Sequence, residues 1–418
     1  MFARTTFTGY LSNKFWFRGV QDLQRGKAYL RMRKATLSIA AVSAALLAVS
    51  ACSSSKSNSN NSSAAGASSP AAGASSPAAP ASSGGGSGTV DGKGAKVGII
   101  LPDTTSSPRW VTADPEALKA DCTKYNLNCD IQNADGNTAK MKTIAQQMES
   151  AGVKVLMIVD LDAASGAAIE QQAAKAGVIT VDYDRLTPGG GAALYVSFDN
   201  VKVGQLQGQT LTQCPQVKGL KSVKYVDIDG APTDNNATLF AQGYDGVLSK
   251  TAGWTRVGKQ TGQWDAPTAG RVFNSMLAKN PDIKAVMVAN DTMAGAVITD
   301  LKRQNLNGKV AVSGQDASAA GLQAIMDGNQ CFTIYKPSTA EADPAIKAIA
   351  QLANNQVPDT HGVTITDPKT HKQVPALLAT PVAITKANVA TPINDQYTPK
   401  SSVCTGAYVA KCAAAGVK

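Results

Sequence analysis

Side chains that can grip a hydroxylated molecule recur at one kind of place in this chain, just past short apolar runs. They are Asp103 and Arg109-Trp110, Asp184-Arg185, Asp234-Asn235-Asn236, Trp264-Asp265, Asn290-Asp291, Gln315-Asp316 and Lys336. Such a set suits a neutral sugar. Each hydroxyl both donates and accepts, so Asp, Asn, Arg and Lys can saturate it, while the C–H face of the ring lies against an aromatic plane. Aromatic residues make up only 5% of the chain, so Trp110 and Trp264 at these places carry weight, whereas Trp254, ahead of an apolar run, reads as packing. Polar residues at strand ends are also common simply because loops are exposed. It is the joint set, spread over two halves of the chain, that points to a cleft.

The elements that must carry these residues alternate regularly from Lys96 onward. Short β-branched runs are expected strands at Val97–Leu101, Cys129–Gln132, Val153–Val159, Val178–Tyr183 and Leu194–Phe198, and amphipathic stretches between them are expected helices. After Asp199 the series starts again, with strands at Val223–Ile228, Val257–Gly262, Ala285–Val288, Val310–Val312 and Cys331–Tyr335. Runs apolar along their whole length, such as Val155–Val159, need helices on both faces, which is the doubly wound parallel sheet. The fold class is therefore α/β with two such domains: 96–198 plus about 338–381, and 199–337 plus about 382–418. In open parallel sheets ligands sit beyond the carboxyl ends of the strands, where the polar set falls.

Other chemistries fare worse. The 418 residues are 43% hydrophobic and carry a formal charge of +10, but residues 1–51 hold eight of the Lys and Arg and one acid, leaving 32 basic against 29 acidic residues elsewhere. Nucleic-acid binding thus loses its main support. Gly253-Trp254-Thr255-Arg256-Val257-Gly258-Lys259-Gln260 is one residue short of a phosphate-binding loop, since Gln260 stands where Ser or Thr would hold magnesium, and it leads into a strand rather than out of one. No G-x-S-x-G occurs, no C-x-x-C occurs, and both histidines, His361 and His371, lie in one polar segment. No metal, cofactor or enzyme activity is expected. Paired acids occur in any chain of this size, so a surface glycosidase is the one enzyme alternative retained.

The amino-terminal region reads as an export device. Residues 1–31 precede a complete signal and are expected to come from a start assigned too early. Residues 32–51 form a signal peptide: Arg33-Lys34, an apolar stretch from Ala35 to Val49, then Ser50-Ala51 before Cys52. Residues 52–95 are almost entirely Ser, Ala, Gly, Pro and Asn and read as a disordered tether reaching roughly 35–40 Å. Beyond Cys52 there are six cysteines, which in an exported chain suit disulfides. Short loops favour Cys122–Cys129 and Cys404–Cys412, leaving Cys214 and Cys331 as a possible third pair, though fifteen pairings are formally open.

Val49-Ser50-Ala51-Cys52 resembles a bacterial lipobox, which implies lipidation of Cys52 and a body anchored at the outer face of the cytoplasmic membrane. From about Lys96 to Lys386 the chain resembles the sugar-binding proteins of bacterial ABC importers, within the type I periplasmic binding proteins. The segments that carry the likeness are Tyr183-Asp184-Arg185, Val196-Ser197-Phe198-Asp199-Asn200, Asp234-Asn235-Asn236-Ala237, Ala289-Asn290-Asp291, Ser313-Gly314-Gln315-Asp316 and Tyr335-Lys336-Pro337. The resemblance implies two domains joined by three crossovers, closing over one monosaccharide, with D-xylose favoured, and a monomer that hands it to an ABC permease. Arabinose, galactose or a furanose signal, or presentation to a chemoreceptor or sensor, are the alternatives. It carries ligand contacts onto Arg109, Trp110, Arg185, Asn236, Asn290, Asp316 and Lys336, to which Asp184 and Trp264 are added. The chain departs from the family pattern at Ser106-Ser107-Pro108, where an acidic residue usually sits beside the arginine, and at Trp264, which falls one position further from Pro267.

Overall fold

The computed structural model describes residues 90–418. The expected extension, signal segment, Cys52 and nearly all of the tether lie outside the described residues. Ahead of the first expected strand, Val90 packs against the core, and the Gly92 and Gly94 N–H groups donate to the carbonyls of Tyr125 and Asn126.

The first half runs β1 (Ala95–Leu101), α1 (Ala113–Lys124), β2 (Leu127–Asn133), α2 (Thr138–Ser150), β3 (Val155–Ile158), α3 (Ala163–Lys175), β4 (Ile179–Tyr183) and β5 (Leu194–Phe198). The second runs α4 (Asn200–Thr212), β6 (Val223–Asp229), α5 (Asn235–Leu248), β7 (Trp254–Thr261), α6 (Ala266–Lys279), β8 (Ala285–Val288), α7 (Asp291–Arg303), β9 (Ala311–Val312), α8 (Ala319–Met326) and β10 (Phe332–Tyr335). The chain then returns through α9 (Thr339–Ala353), β11 (Thr364–Thr366), β12 (Gln373–Ala379), β13 (Val382–Thr385) and the short helices α10 (Thr391–Asn394), α11 (Lys400–Val403) and α12 (Tyr408–Ala414).

The first sheet has the order β11-β12-β5-β4-β3-β1-β2, parallel throughout except for the β11–β12 hairpin. The second has the order β7-β6-β8-β9, all parallel. β10 continues it, since the Cys331 and Ile334 N–H groups donate to the carbonyls of Val312 and Gly314, and β13 pairs antiparallel with β10. The returning chain therefore adds α9 and β12 to the first lobe and β13 to the second. With the passages from β5 to α4 and from β10 to α9, the chain crosses three times.

The fully buried run Val155–Ile158 is covered on both faces, by a cluster including Leu118 and Ile346 and by one including Ile144 and Ile169. In the second lobe the closest helix contact is between α4 and α5. An ideal Cβ on Gly204 would lie 2.1 Å from the Phe240 carbonyl oxygen, and one on Gly243 2.2 Å from that of Val201, so only glycine lets the two backbones touch. All three cysteine pairs form: Cys122–Cys129, Cys404–Cys412 and Cys214–Cys331, the last joining the end of α4 to the start of β10.

Candidate functional site

Helices that follow parallel strands start at the strands' carboxyl ends, so polar residues there act first as helix caps. Asp234 caps α5 by accepting the Asn236 N–H at 2.8 Å, Asp265 caps α6 through the Thr268 N–H at 2.8 Å, and Asn290 caps α7 through the Met293 N–H at 3.0 Å. These caps hold the side chains at the facing ends of the two sheets. All nine expected contacts, Arg109, Trp110, Asp184, Arg185, Asn236, Trp264, Asn290, Asp316 and Lys336, line one cavity there, together with Ser106, Ser107, Asp234, Phe240 and Gln315. Its empty space is about 310 Å³, counting the part that is open to solvent. A wider hollow of about 890 Å³ at the mouth shares Ser106, Arg185 and Trp264 with it.

Asp184 is the centre of the polar lining. Its carboxylate accepts from Arg109 Nη1 at 2.8 Å and Asn236 Nδ2 at 3.1 Å, with Lys336 Nζ at 3.4 Å. Burial would raise its pKa, but Lys336, Arg109 and Arg185 beside it outweigh that and hold it below the usual carboxylate value. Its backbone carbonyl accepts from Tyr195, Ser197 and Asn236, so Ser197 on β5 supports the site directly.

Arg109 is as much a structural node as a ligand contact. Of its five N–H donors, four are taken: Nε and Nη2 by Asp114 at 2.7 and 2.6 Å, Nη2 again by Glu341 at 2.6 Å, and Nη1 by Asp184. One Nη1–H remains. The guanidinium also lies 4.5 Å from the centre of the Trp110 ring, with that of Arg185 at 5.9 Å, so part of the expected stacking plate is already covered. Neither Asp114 nor Glu341 was expected from the sequence. Glu341 lies 232 residues from Arg109, inside a helix, and no strand-end pattern marks it. Burial pushes its carboxyl up to about 8, against the pull of Arg109.

The lobes meet across the cavity. Arg185 Nε lies 3.2 Å from Asp234, Lys336 reaches Asp184, Asn236 Nδ2 donates to the Asp184 carbonyl at 2.9 Å, and Asn290 Nδ2 donates to that of Ser106 at 2.8 Å. Where the chain departs from the family pattern, the Ser106 backbone carbonyl faces Asn290. Trp264 lies at the rim, its Nε1–H donated to Asp234 at 3.1 Å and its ring edge-on to Phe240. An ideal Cβ on Gly230 would lie 2.0 Å from this indole. Phe240, missed from the sequence, sits one helical turn after Asn236, and that i, i+4 spacing was the available signal.

Five residues in and around the cavity have φ in the left-handed region: Asp184 (+60°), Gln263 (+57°), Trp264 (+58°), Asp316 (+89°) and Ala317 (+46°). Each costs about 1–3 kcal/mol and persists only where surrounding structure imposes it. Several buried polar atoms of lining residues have no hydrogen-bond partner: Ser107 Oγ, Trp110 Nε1, Gln315 Oε1 and Asp316 Oδ1. Buried polar groups are nearly always paired, so this mixed set of donors and acceptors calls for a ligand with hydroxyl-like groups or for water. Among the described residues no group of three or more His, Cys, Asp or Glu is placed to hold a metal ion, and no helix is long and apolar enough to cross a membrane.

Two α/β lobes, crossed three times by the chain and enclosing a polar cavity at the carboxyl ends of both sheets, define a two-lobed ligand-binding protein. Residues 97–356 match the family model described as a periplasmic binding protein domain, and the chain belongs to that family. It is 32% identical over 302 residues to the D-xylose-binding periplasmic protein of Escherichia coli K12, covering 71% of this chain and 88% of the relative. It is 30% identical to the multiple sugar-binding periplasmic receptor ChvE of Rhizobium radiobacter, over 70% of this chain and 87% of that one. The fold is similar to the crystal structure of a carbohydrate transporter solute-binding protein of Chloroflexus aurantiacus in complex with D-glucose, with a TM-score of 0.65, 29% identity, and 73% and 97% of the two chains covered. At the level of family, then, this is a periplasmic binding protein.

Proposed function

We propose that the chain is the extracytoplasmic solute-binding component of an ABC sugar importer, taking one monosaccharide into the cleft and passing it unaltered to a permease. The observation that carries this reading is the cavity lined from both lobes by Asp, Asn, Arg, Lys and Trp side chains, with buried donors and acceptors left unpaired. A ligand favours closure only through contacts it makes better in the closed state, so groups must come from both lobes. Residues 96–198 with about 338–381, and 199–337 with about 382–418, are the two bodies that move. Arg109, Trp110, Asp184, Arg185, Asn236, Trp264, Asn290, Asp316 and Lys336 are the contacts.

D-xylose is the favoured ligand, supported by the identity to the E. coli protein. The likeness to a multiple sugar receptor and to a glucose-bound structure supports the second reading, a broader pentose and hexose range. The protein works as a monomer, held by lipid on Cys52 to the outer face of the cytoplasmic membrane. A thermal-shift and calorimetric screen over pentoses and hexoses tests the function. Saturable binding of D-xylose is expected; no stabilisation by any sugar removes the reading. Mass spectrometry of the mature first residue tests the anchor, and an unmodified Cys52 rejects it.

A further inference from the structure

We infer that Asp291 is a positioning residue for the cleft, its buried carboxylate holding the 315–318 loop in the backbone conformation that turns Gln315 and Asp316 toward the cavity. This rests on the reading of the cleft as a sugar site. Asp291 itself does not line the cavity, but both residues it would place do.

The loop bends through two consecutive non-glycine residues at positive φ, Asp316 at +89° and Ala317 at +46°, which no local preference would hold. Asp291, 3% exposed at the start of α7, grips the loop from both ends. Its backbone N–H donates to the Gln315 carbonyl at 3.0 Å, and its Oδ2 accepts the Ser318 N–H at 2.8 Å. Its Oδ1 accepts from Gln330 Nε2 at 2.7 Å, which ties the same group to the entrance of β10 and so to Lys336 at its far end. The surrounding sequence leaves room for this carboxylate and nothing more. An ideal Cβ on Gly314 would lie 2.1 Å from Oδ1, and one on Gly321 2.2 Å from Oδ2. The other supports of the bend are neutral: the Ala317 N–H donates to Thr333 Oγ1 at 3.1 Å and Thr398 donates to the Ala317 carbonyl at 2.7 Å.

Asp291 also titrates. Burial, opposed by the hydrogen bonds from Gln330 and Ser318, raises its carboxyl to about 7. The groups facing it from α8 and β10 are Ser318, Gln330 and Thr333, none ionisable, and the charged group facing it is Asp316 on the loop, with Lys336 3.6 Å beyond. The ionised carboxylate accepts both bonds. Once protonated, the oxygen that carries the proton becomes a donor, and its bond from Ser318 or from Gln330 is weakened, while the backbone bond to Gln315 stays.

The test compares the wild type with Asp291→Asn and Asp291→Ala in two measurements. In the unliganded protein, amide hydrogen exchange over residues 313–320 reads the loop directly; about tenfold faster exchange is expected in Asp291→Ala and less in Asp291→Asn, which keeps one acceptor. Calorimetric titration with D-xylose and D-glucose reads the cleft. Affinity is expected to drop about tenfold in Asp291→Ala, and wild-type affinity to weaken as pH falls through the Asp291 midpoint, a component absent from Asp291→Asn. Unchanged exchange over 313–320 in a folded variant, or wild-type and Asp291→Asn pH curves that run parallel, overturns the inference. Should Asp291→Ala fail to fold, Asp291→Asn and the wild-type pH curve still decide it. If neither sugar binds the wild type, the sugar reading is what falls, while the exchange result still decides whether Asp291 sets the loop.

Discussion

Arg109 and Asp316 both line the cavity, yet removing them should have different consequences, because Arg109 serves three buried carboxylates while Asp316 faces one cation, Lys336 at 3.6 Å, which Asp184 also pairs. Arg109→Ala leaves Asp114, Asp184 and Glu341 facing one another without their shared cation. Breaking a buried pair from one side costs about 3–5 kcal/mol, so this variant is expected to unfold at markedly lower urea even without ligand. Asp316 Oδ1 has no hydrogen-bond partner, and Asn tolerates its positive φ. Asp316→Asn should therefore keep the unliganded melting curve while losing at least about tenfold in sugar affinity. Equal stability of the two unliganded variants would refute the distinction. Glu341 gives a pH signature. Its folded pKa of about 8 lies above its ordinary 4.5, so the native state binds the extra proton. Its contribution to stability is thus present at low pH and lost as pH rises through about 8. Unfolding free energy of the wild type minus that of Glu341→Gln should fall across that window; a flat difference would place the proton elsewhere in the cluster.

The contact of α4 with α5 decides where Asn236 and Phe240 stand, and it rests on glycine. Gly243→Ala gains about 1 kcal/mol of helix propensity, but its Cβ meets the Val201 carbonyl, backbone against backbone, where nothing flexible can yield. The overpacking of about 1–3 kcal/mol should win, so net destabilisation in urea together with weaker sugar binding is expected. A stabilised Gly243→Ala with full affinity would show that the helices can part freely. How far such elements could be read from the sequence depended on burial. Runs buried on both faces, like Val155–Ile158, announce themselves, as do the polar caps that follow them. β7 was expected to begin at Val257 and starts at Trp254, because it is an edge strand with a mixed burial pattern, and its pairing with β6 is irregular at Tyr225 and Val226. The strand-end residues of the cavity were legible for the same reason as the strands. Asp114 and Glu341 were not, since a buried acid inside a helix has the same sequence appearance as a solvated one until its partner is known.

At the scale of the molecule, the lobes are bonded to each other across the cavity. Arg185 pairs with Asp234, Lys336 with Asp184, Asn236 with the Asp184 carbonyl and Asn290 with the Ser106 carbonyl. In the proposed function the lobes part as rigid bodies about the three short crossings. Each interlobe bond therefore biases the same equilibrium between open and closed forms, and the apparent affinity for a ligand scales with the fraction that is competent to hold it. Asp234 is the most informative place to perturb this balance, because its Oδ2 serves both Arg185 across the cleft and Trp264 at the rim, while its Oδ1 caps α5. Asp234→Asn can keep the cap through its remaining oxygen but turns an amide N–H₂ toward the donors of Arg185 and Trp264, replacing attraction by repulsion. The expected result is a larger radius of gyration for the unliganded variant in small-angle scattering and a sugar affinity reduced by about tenfold or more. Saturating sugar should restore the compact value, since the hinge itself is untouched. A variant that scatters and binds as the wild type does would mean that these pairs follow closure without influencing it.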